Sequence, residues 1–258
     1  MTCFRPFLCI MLALAALSPQ QGMARPIRNG GKLLLTNGIS SLEGASGGGL
    51  TPWAVIAGNE TSDGFGLSAH GTLVEVKDYD YQSAGVAIGI RDSIELSYTH
   101  QDFNTNEIGA ALGLGKDFAF SQDIFGAKVR LAGDLVYDRL PAIAVGVQYK
   151  NNNQGAIVRA VGAKGDEGVD YYASVSKLFL ACSILLSATA RLTKANQMGL
   201  LGFGGGKQGN HTLQFEGSAA WQLSRRIAIG GEYRRKPDNL NIAREDDWFD
   251  AFAAVAIS

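Results

Sequence analysis

The chain has 258 residues, of which 33 are glycine and 6 are proline; 46% are hydrophobic and 18% are charged. A formal net charge of −1 argues against a nucleic-acid-binding protein, because such proteins normally carry a surplus of basic residues. The apolar fraction is high enough to exclude an intrinsically disordered chain.

The first 24 residues predict a cleaved export signal. Arg5 precedes an apolar run from Phe7 to Leu17, and Gly22-Met23-Ala24 places small residues before a cut after residue 24. A basic start, a short apolar run and a small-residue end are typical of a secretory signal peptide. The alternative is a buried core helix. The run is too short to cross a bilayer, which takes about 20 residues.

The mature chain alternates apolar and polar residues with a period of two. In the clearest case, His211 to Ser224, Phe215 and Trp221 fall on one face, and Gln214 and Glu216 fall on the other. Successive side chains of a strand point to opposite faces, so this segment presents one apolar and one polar surface. The pattern recurs along the chain and predicts an all-β protein.

Segments of this kind predict an antiparallel transmembrane β-barrel of about twelve strands, because their length matches a tilted membrane-crossing strand of about 9–11 residues. The predicted strands are Leu33–Leu42, Trp53–Asn59, Gly64–Val76, Tyr79–Ile90, Ser93–Phe103, Phe118–Leu131, Pro141–Lys150, Val169–Leu180, Ser183–Ala195, Thr212–Leu223, Arg226–Arg235 and Trp248–Ile257. The second of them is short, and a glycine run at 47–49 precedes it. Residues 25–52 are therefore either the first strand or a plug in the lumen, and residues 53–258 form the barrel.

Alternation alone fits both a soluble barrel, with its apolar face inside, and an outer-membrane barrel, with that face towards lipid. Two features favour the membrane form. The polar face is rich in small and charged residues, as a wet lumen requires. Aromatic residues cluster near strand ends, where interfacial girdles lie. They are Trp53, Tyr79, Tyr81, Tyr149, Tyr171, Tyr172, Tyr233 and Trp248.

The connections between the predicted strands alternate in length, which favours the membrane form further. Tight connections at 91–93, 181–183 and 224–226 and a moderate one at 133–140 alternate with long ones at 104–117, 151–168, 196–210 and 237–247. Bacterial barrels have short periplasmic turns and longer extracellular loops. Residues 155–164 resemble a strand, but counting them as a span breaks this alternation, so we assign them to an extracellular loop.

The charges on the polar faces are the candidate site residues. The predicted lumen-lining residues are Glu95, Lys128, Arg130, Arg191, Glu216, Glu232 and Arg234. Opposed acidic and basic side chains either line a water path or pair with one another in a closed, narrow barrel, and the sequence supports both interpretations equally.

No catalytic residue, metal site or cofactor is predicted. The three histidines lack metal-ligand spacing. His100 lies near Ser97, but a separation of three puts them on opposite faces of a strand. The glycine-rich run at 202–207 lacks the residues of a phosphate loop. Cys182 has apolar neighbours and is expected to be a packed residue. The acidic residues at 245–247 and 250 are expected to lie in a solvated loop, with gating or cation binding as the alternative.

Several runs together resemble a family of uncharacterised exported proteins of Gram-negative bacteria. They are GKLLLT at 31–36, GGGLTPWA at 47–54, ANQMGLLGFGG at 195–205, EYRRKPDNL at 232–240 and EDDW at 245–248. The resemblance implies an outer-membrane barrel with no assigned activity and supplies no catalytic residues. Barrels of this type usually end on Phe or Tyr, whereas this chain stops at Ser258. A missing terminal hairpin is therefore one interpretation of its C-terminus.

These observations lead to a functional expectation. The chain is expected in the cell outer membrane, as a barrel that passes or binds small solutes without catalysis. Its expected partners are outer-membrane lipid, the barrel assembly machinery and small solutes, and not nucleic acid. The alternative is a closed structural or adhesive surface barrel, and a barrel-borne hydrolase using His100 is a further one.

Overall fold

The computed structural model describes residues 38–60, 64–75, 79–106, 113–241 and 247–256, with the isolated positions 32, 35, 36, 62 and 109. The predicted signal peptide, residues 1–24, lies outside the described residues, and so do residues 242–246 and 257–258. A small hairpin pairs β1 (Ile39–Ser40) with β2 (Ser46–Gly47), strands of two residues each.

Ten further strands form one antiparallel sheet in which each strand pairs with its neighbours in sequence. The sheet curls into a half-barrel. Its strands are β3 (Phe65–Glu75), β4 (Asp80–Ile90), β5 (Ile94–Asn104), β6 (Ala119–Ala132), β7 (Ala142–Asn152), β8 (Glu167–Phe179), β9 (Ile184–Thr193), β10 (Thr212–Ser224), β11 (Ile227–Arg234) and β12 (Trp248–Val255). The prediction of an all-β chain is confirmed.

Residues directly opposite on neighbouring strands share a face, so the two-residue period builds two continuous surfaces. On the convex, outer face Tyr98 pairs with Phe125, and their ring centroids are 5.0 Å apart. On the concave, inner face Glu95 pairs with Lys128. The residue pattern of each strand therefore sets which face of the whole sheet is apolar.

Burial is inverted relative to an ordinary soluble sheet. Glu95 is 1% exposed whereas its neighbour Leu96 is 41% exposed. Glu216 is 4% exposed and Phe215 is 56% exposed. The half-barrel therefore buries its polar face and exposes its apolar face, with the assignment of faces that the alternation predicts.

Two of the twelve predicted strands do not join the sheet. Within Leu33–Leu42 the described part contributes only the short β1, and Trp53–Asn59 contains no strand. The physical reason is that the backbone of this region bonds to side chains of the sheet. For example, the Ala54 amide donates to Ser176 Oγ at 2.9 Å and the Ala57 amide to Glu95 Oε2 at 2.8 Å.

The connections divide the sheet into two ends. Residues 91–93, 133–141, 180–183 and 225–226 connect strands at one end, here called the turn end. The longer connections 105–118, 153–166, 194–211 and 235–247 lie at the other, the loop end. Residues 155–164 do not span the sheet, as predicted; they contain the short helix α1 (Gly155–Ala160).

The two edge strands, β3 and β12, are each paired on one side only within the described residues. The described residues contain no helix with the length and hydropathy of a membrane-spanning helix.

Candidate functional site

The inner face of the sheet surrounds residues 38–60, here called the inner segment. Side chains from several strands bond to its backbone. Lys128 Nζ donates to Ser46 O at 2.8 Å and to Val55 O at 2.7 Å. Thr189 Oγ1 donates to Pro52 O at 2.8 Å. These bonds replace the pairing that a strand would make, so the segment lies inside the curve of the sheet rather than within it.

Gly48, the middle residue of the glycine run in this segment, approaches β11 closely. A Cβ on Gly48 would lie 1.9 Å from Glu232 Oε1. The same carboxylate accepts hydrogen bonds from the Leu50 amide and the Thr51 hydroxyl, each at 2.8 Å. A side chain at position 48 would therefore displace the carboxylate that holds the following residues.

Six buried charges meet at the centre of the inner face. Three are acidic (Glu43, Asp170, Glu216) and three are basic (Lys150, Arg191, Arg234), and all are at most 4% exposed. Lys150 contacts Asp170 at 2.7 Å and also Glu43. Arg191 contacts Glu216, and Arg234 Nη1 lies 2.8 Å from Glu43 Oε2. The charges balance, so each one is compensated although none reaches solvent.

Glu43 is the member of this network that the inner segment supplies. Burial alone would raise the pKa of its carboxyl. The charges of Arg234, Lys150 and Arg191 outweigh that effect and hold the pKa well below its ordinary value. The residue is therefore ionised at neutral pH, and it ties the inner segment to β7, β9 and β11.

A second pair lies between the inner segment and β5 and β6. Lys128 and Glu95 are 3.1 Å apart and both are buried. Glu95 also accepts a hydrogen bond from the Ser46 amide at 3.0 Å. Both charges thus contact the inner segment as well as each other.

Residues 195–205, here called the capping loop, cover the network from the loop end. Asn152 Nδ2 on β7 donates to Leu200 O at 2.9 Å, and Lys150 Nζ donates to Met198 O at 3.2 Å. Asn239 Nδ2 donates to Asn196 Oδ1 at 2.8 Å, which ties the loop to the connection after β11. The three longest runs noted in the sequence thus meet here: 47–54 in the inner segment, 195–205 in the capping loop, and 232–240 contacting both.

The predicted site residues occupy these positions. Glu95, Lys128, Arg191, Glu216, Glu232 and Arg234 are all buried on the inner face. Arg130 shares that face but lies at the turn end, where its guanidinium is 2.7 Å from Asp92 and partly exposed. Within the described residues the six buried side chains contact each other, the inner segment or both.

Three members of the central network were missed in the sequence. Lys150 and Asp170 follow the same alternation as the predicted residues, because their sequence neighbours Tyr149 and Tyr171 point to the other face. The two-residue period was therefore sufficient to predict them. Glu43 lies in a glycine-rich stretch without periodicity, and no local pattern marks it.

Some expectations are wrong. Trp53, Tyr81 and Tyr172 lie inside rather than in a surface girdle. Tyr171 and Tyr172 are adjacent in a strand, so only one of them can face outwards. Cys182 is exposed in the turn between β8 and β9 and is not packed as expected.

The hydrolase alternative gains nothing from the geometry. His100 lies on the outer face, where Nδ1 is 2.8 Å from Asp123 and Nε2 is 3.4 Å from Asp102. Ser97 is on the inner face of the same strand, as the separation of three predicts. No group of residues in the described part of the chain has the composition and geometry to hold a metal ion.

An apolar pocket lies at the turn end, between the inner segment and β8 to β12. It contains about 510 Å³ of space without atoms, part of it open to solvent. Its wall includes Trp53, Leu178, Leu185, Ala220, Ala228 and Phe252. This part of the interior differs from the charged network, which is polar throughout.

The turn end also carries a buried carboxyl with a testable pH dependence. Burial raises the pKa of Glu60, and Lys32, 3.7 Å away, offsets part of the rise. A carboxyl whose pKa is higher in the folded state than in the unfolded state lowers the stability of the fold as the pH rises from the unfolded-state pKa to the folded-state pKa. Glu60→Gln is therefore expected to unfold at higher urea concentration than the wild type at pH 7, and at the same concentration below about pH 4. Lower stability of the variant at pH 7 would contradict the shift.

Comparison with known proteins identifies one family. A family described as "Protein of unknown function (DUF3034)" matches residues 36–258. No curated protein and no solved structure matches the chain.

Proposed function

We propose that this chain, which belongs to the DUF3034 family of proteins of unknown function, is an outer-membrane β-barrel that binds small solutes in a plugged interior. The observation that carries the proposal is the inversion of burial. An apolar outer face surrounds a buried, charge-balanced interior, which is the arrangement that strands in a bilayer require.

The outer face supports the proposal by its continuity. Its exposed apolar residues on the middle strands include Leu96, Phe125, Val145, Val175, Leu186, Leu192, Leu213, Phe215, Trp221, Leu223, Ile227 and Ile229. The charged residues on this face of the same strands lie towards the ends, as with Asp123 at the loop end and Lys177 at the turn end. An apolar surface of this extent would be a liability in water and is stable against lipid.

The height of this surface fits a bilayer. Leu213 and Leu223 mark its limits on β10, ten residues apart, which corresponds to about 33 Å along the strand. With the usual strand tilt of about 35–45°, the apolar band is about 25 Å tall, as outer-membrane barrels have.

Tyrosines mark one border of the band. The hydroxyls of Tyr98, Tyr149 and Tyr233 donate to carboxylates at the loop end: Asp123 at 2.8 Å, Glu167 at 2.6 Å and Asp247 at 2.6 Å. An outward ring with its hydroxyl directed at charged groups suits a membrane–water interface. Three repeats of the arrangement on β5, β7 and β11 support an interface at this level.

The interior favours binding over free passage. The inner segment and the capping loop occupy the space that an open pore would need, and the apolar pocket lies beside them at the turn end. Passage would require the inner segment to move. The alternative, a permanently closed structural barrel, is favoured by the charge balance of the central network.

Cys182 tests the location and orientation directly. With the turn end in the periplasm, a 5-kDa maleimide polymer added to intact cells is expected to leave Cys182 unlabelled. Permeabilising the outer membrane should then allow labelling, because the residue is exposed in its turn.

Lys207→Cys in a Cys182→Ser background is the matched control, since residue 207 lies exposed in the connection between β9 and β10 at the loop end. It is expected to react in intact cells. If Cys182 reacts in intact cells while the cysteine at position 207 is protected, the orientation is the reverse of the one proposed. Recovery of the protein in the soluble periplasmic fraction would refute the membrane location.

A further inference from the structure

We propose that the apolar pocket at the turn end binds a small apolar molecule with one hydrogen-bond acceptor, which the indole N–H of Trp53 recognises. The inference rests on the proposed function, because it names the class of solute that the plugged interior takes.

The wall of the pocket selects against charge. Its side chains are mainly aliphatic or aromatic, and none of the described residues that line it is charged. Transferring an ion from water into such surroundings without a partner is strongly unfavourable. A neutral, largely apolar molecule is the class that gains by entering.

Trp53 supplies the polar contact. Its side chain lines the pocket and the residue is 4% exposed, yet its Nε1 has no hydrogen-bond partner among the described residues. Buried indole N–H groups normally have a partner. An acceptor on the bound molecule would satisfy this donor.

The position of Trp53 is fixed before any molecule binds. Its amide donates to Ser46 O at 3.1 Å, and its carbonyl accepts a hydrogen bond from Lys128 at 3.3 Å. Ser46 belongs to the inner segment itself, and Lys128 belongs to the sheet that holds this segment. The backbone of the site is therefore fixed beforehand, whereas Nε1 itself is closed off from solvent, so an acceptor reaches it only after neighbouring side chains shift.

The size of the pocket limits the molecule. Its wall consists of fourteen described residues and encloses a small space that is partly open to solvent, which suits a single-ring compound rather than a long lipid. Its polar wall residues, including Ser183 and Gln222, lie at the turn end, so a molecule would enter from that side.

Acetophenone and ethylbenzene are suitable probes because they have similar shapes and only acetophenone has an acceptor. The full mature chain, refolded in detergent micelles, carries three tryptophans, so ¹⁵N-labelled indole groups give three N–H resonances in NMR. Acetophenone is expected to shift the Trp53 resonance saturably. Trp221, on the outer face, should respond only in proportion to the probe dissolved in the micelle.

Ethylbenzene is expected to bind roughly threefold to tenfold more weakly than acetophenone, as one neutral hydrogen bond implies. Trp53→Phe should remove this difference, measured for that variant by competition between the two probes. Equal affinities in the wild type would overturn the proposed role of the indole.

Variants separate the pocket from the micelle. Ala220→Leu fills the pocket and should abolish the saturable shift, whereas Ala219→Leu, on the outer face of the same strand, should leave it unchanged. Ala228→Val is a milder variant of the same wall. Proportional shifts of all three resonances, or unchanged binding by the filled variants, would overturn the inference. Insertion of the protein into vesicles is measured separately. Failure to insert would contradict the proposed membrane barrel, whereas failure to bind the probes would contradict only the proposed pocket.

Discussion

Replacing Glu43 by glutamine is expected to lower the free energy of unfolding by about 3–5 kcal/mol, the usual cost of removing one partner from a buried ion network. The substitution leaves Lys150, Arg191 and Arg234 facing two carboxylates instead of three, and burial prevents water from compensating the excess charge. Urea unfolding in detergent, followed by tryptophan fluorescence and by heat-modified migration on a gel, measures the loss.

The pH dependence of this loss has a definite sign. Because the folded-state pKa of Glu43 is lowered, its contribution is complete above the unfolded value of about 4.3 and declines as pH falls below it. The difference between wild type and variant should therefore be constant from pH 5 to pH 8 and shrink in stronger acid.

Asp238→Asn is the matched control, because Asp238 forms an exposed pair with Lys207 at 2.9 Å. Exposed pairs contribute about 0–1 kcal/mol. Equal, small effects of both substitutions would show that the central network does not hold the inner segment.

Glu43→Gln also distinguishes a plugged solute-binding barrel from a permanently closed one. The wild type is expected to be silent in a planar bilayer, since the inner segment and capping loop fill the interior. Loosening the inner segment through Glu43→Gln should give salt-dependent current steps. Silence of a folded, inserted variant would favour the structural barrel.

Phe215→Arg is expected to destabilise the protein in a bilayer by about 1–3 kcal/mol. An arginine on the lipid face costs about 2–4 kcal/mol at the midplane and about 0–1 kcal/mol near the interfaces, and Phe215 lies between the border at Leu213 and the middle of the band. Phe215 is exposed on the outer face of β10, where the proposed function places hydrocarbon. Urea titration in phospholipid vesicles measures the effect. If this face were in contact with water instead of lipid, the same substitution would change the stability little.

Leu223→Arg provides the control by depth. It lies on the same face of the same strand near the turn end, where the cost falls to about 0–1 kcal/mol. Equal effects at positions 215 and 223, or no effect at 215, would contradict a bilayer around this face.

The sheet could be predicted because it obeys a local rule. The two-residue alternation identified the ten strands and the face on which Glu95, Arg191 and Glu232 lie. It also placed the connections at alternate ends. Each of these features follows from the residues of one segment and its neighbours.

The inner segment could not be predicted in the same way. Its contacts are remote in sequence, as between the Leu50 amide and Glu232, 182 residues apart. Pro52 has no amide hydrogen, and the glycines at 47–49 have no side chains to show a period. Local propensity therefore could not distinguish a first strand from a segment folded inside the sheet.

Site-directed spin labelling tests the direction of the outer face most directly. In a Cys182→Ser background, nitroxides are placed at Phe215→Cys and, on the inner face of β10, at Ser218→Cys. In vesicles the label at 215 should collide with oxygen from the bilayer and be protected from a water-soluble nickel complex, and the label at 218 should be immobile and protected from both. A label at 215 that meets the nickel complex or is buried in protein, with oxygen reaching 218, would contradict the membrane barrel.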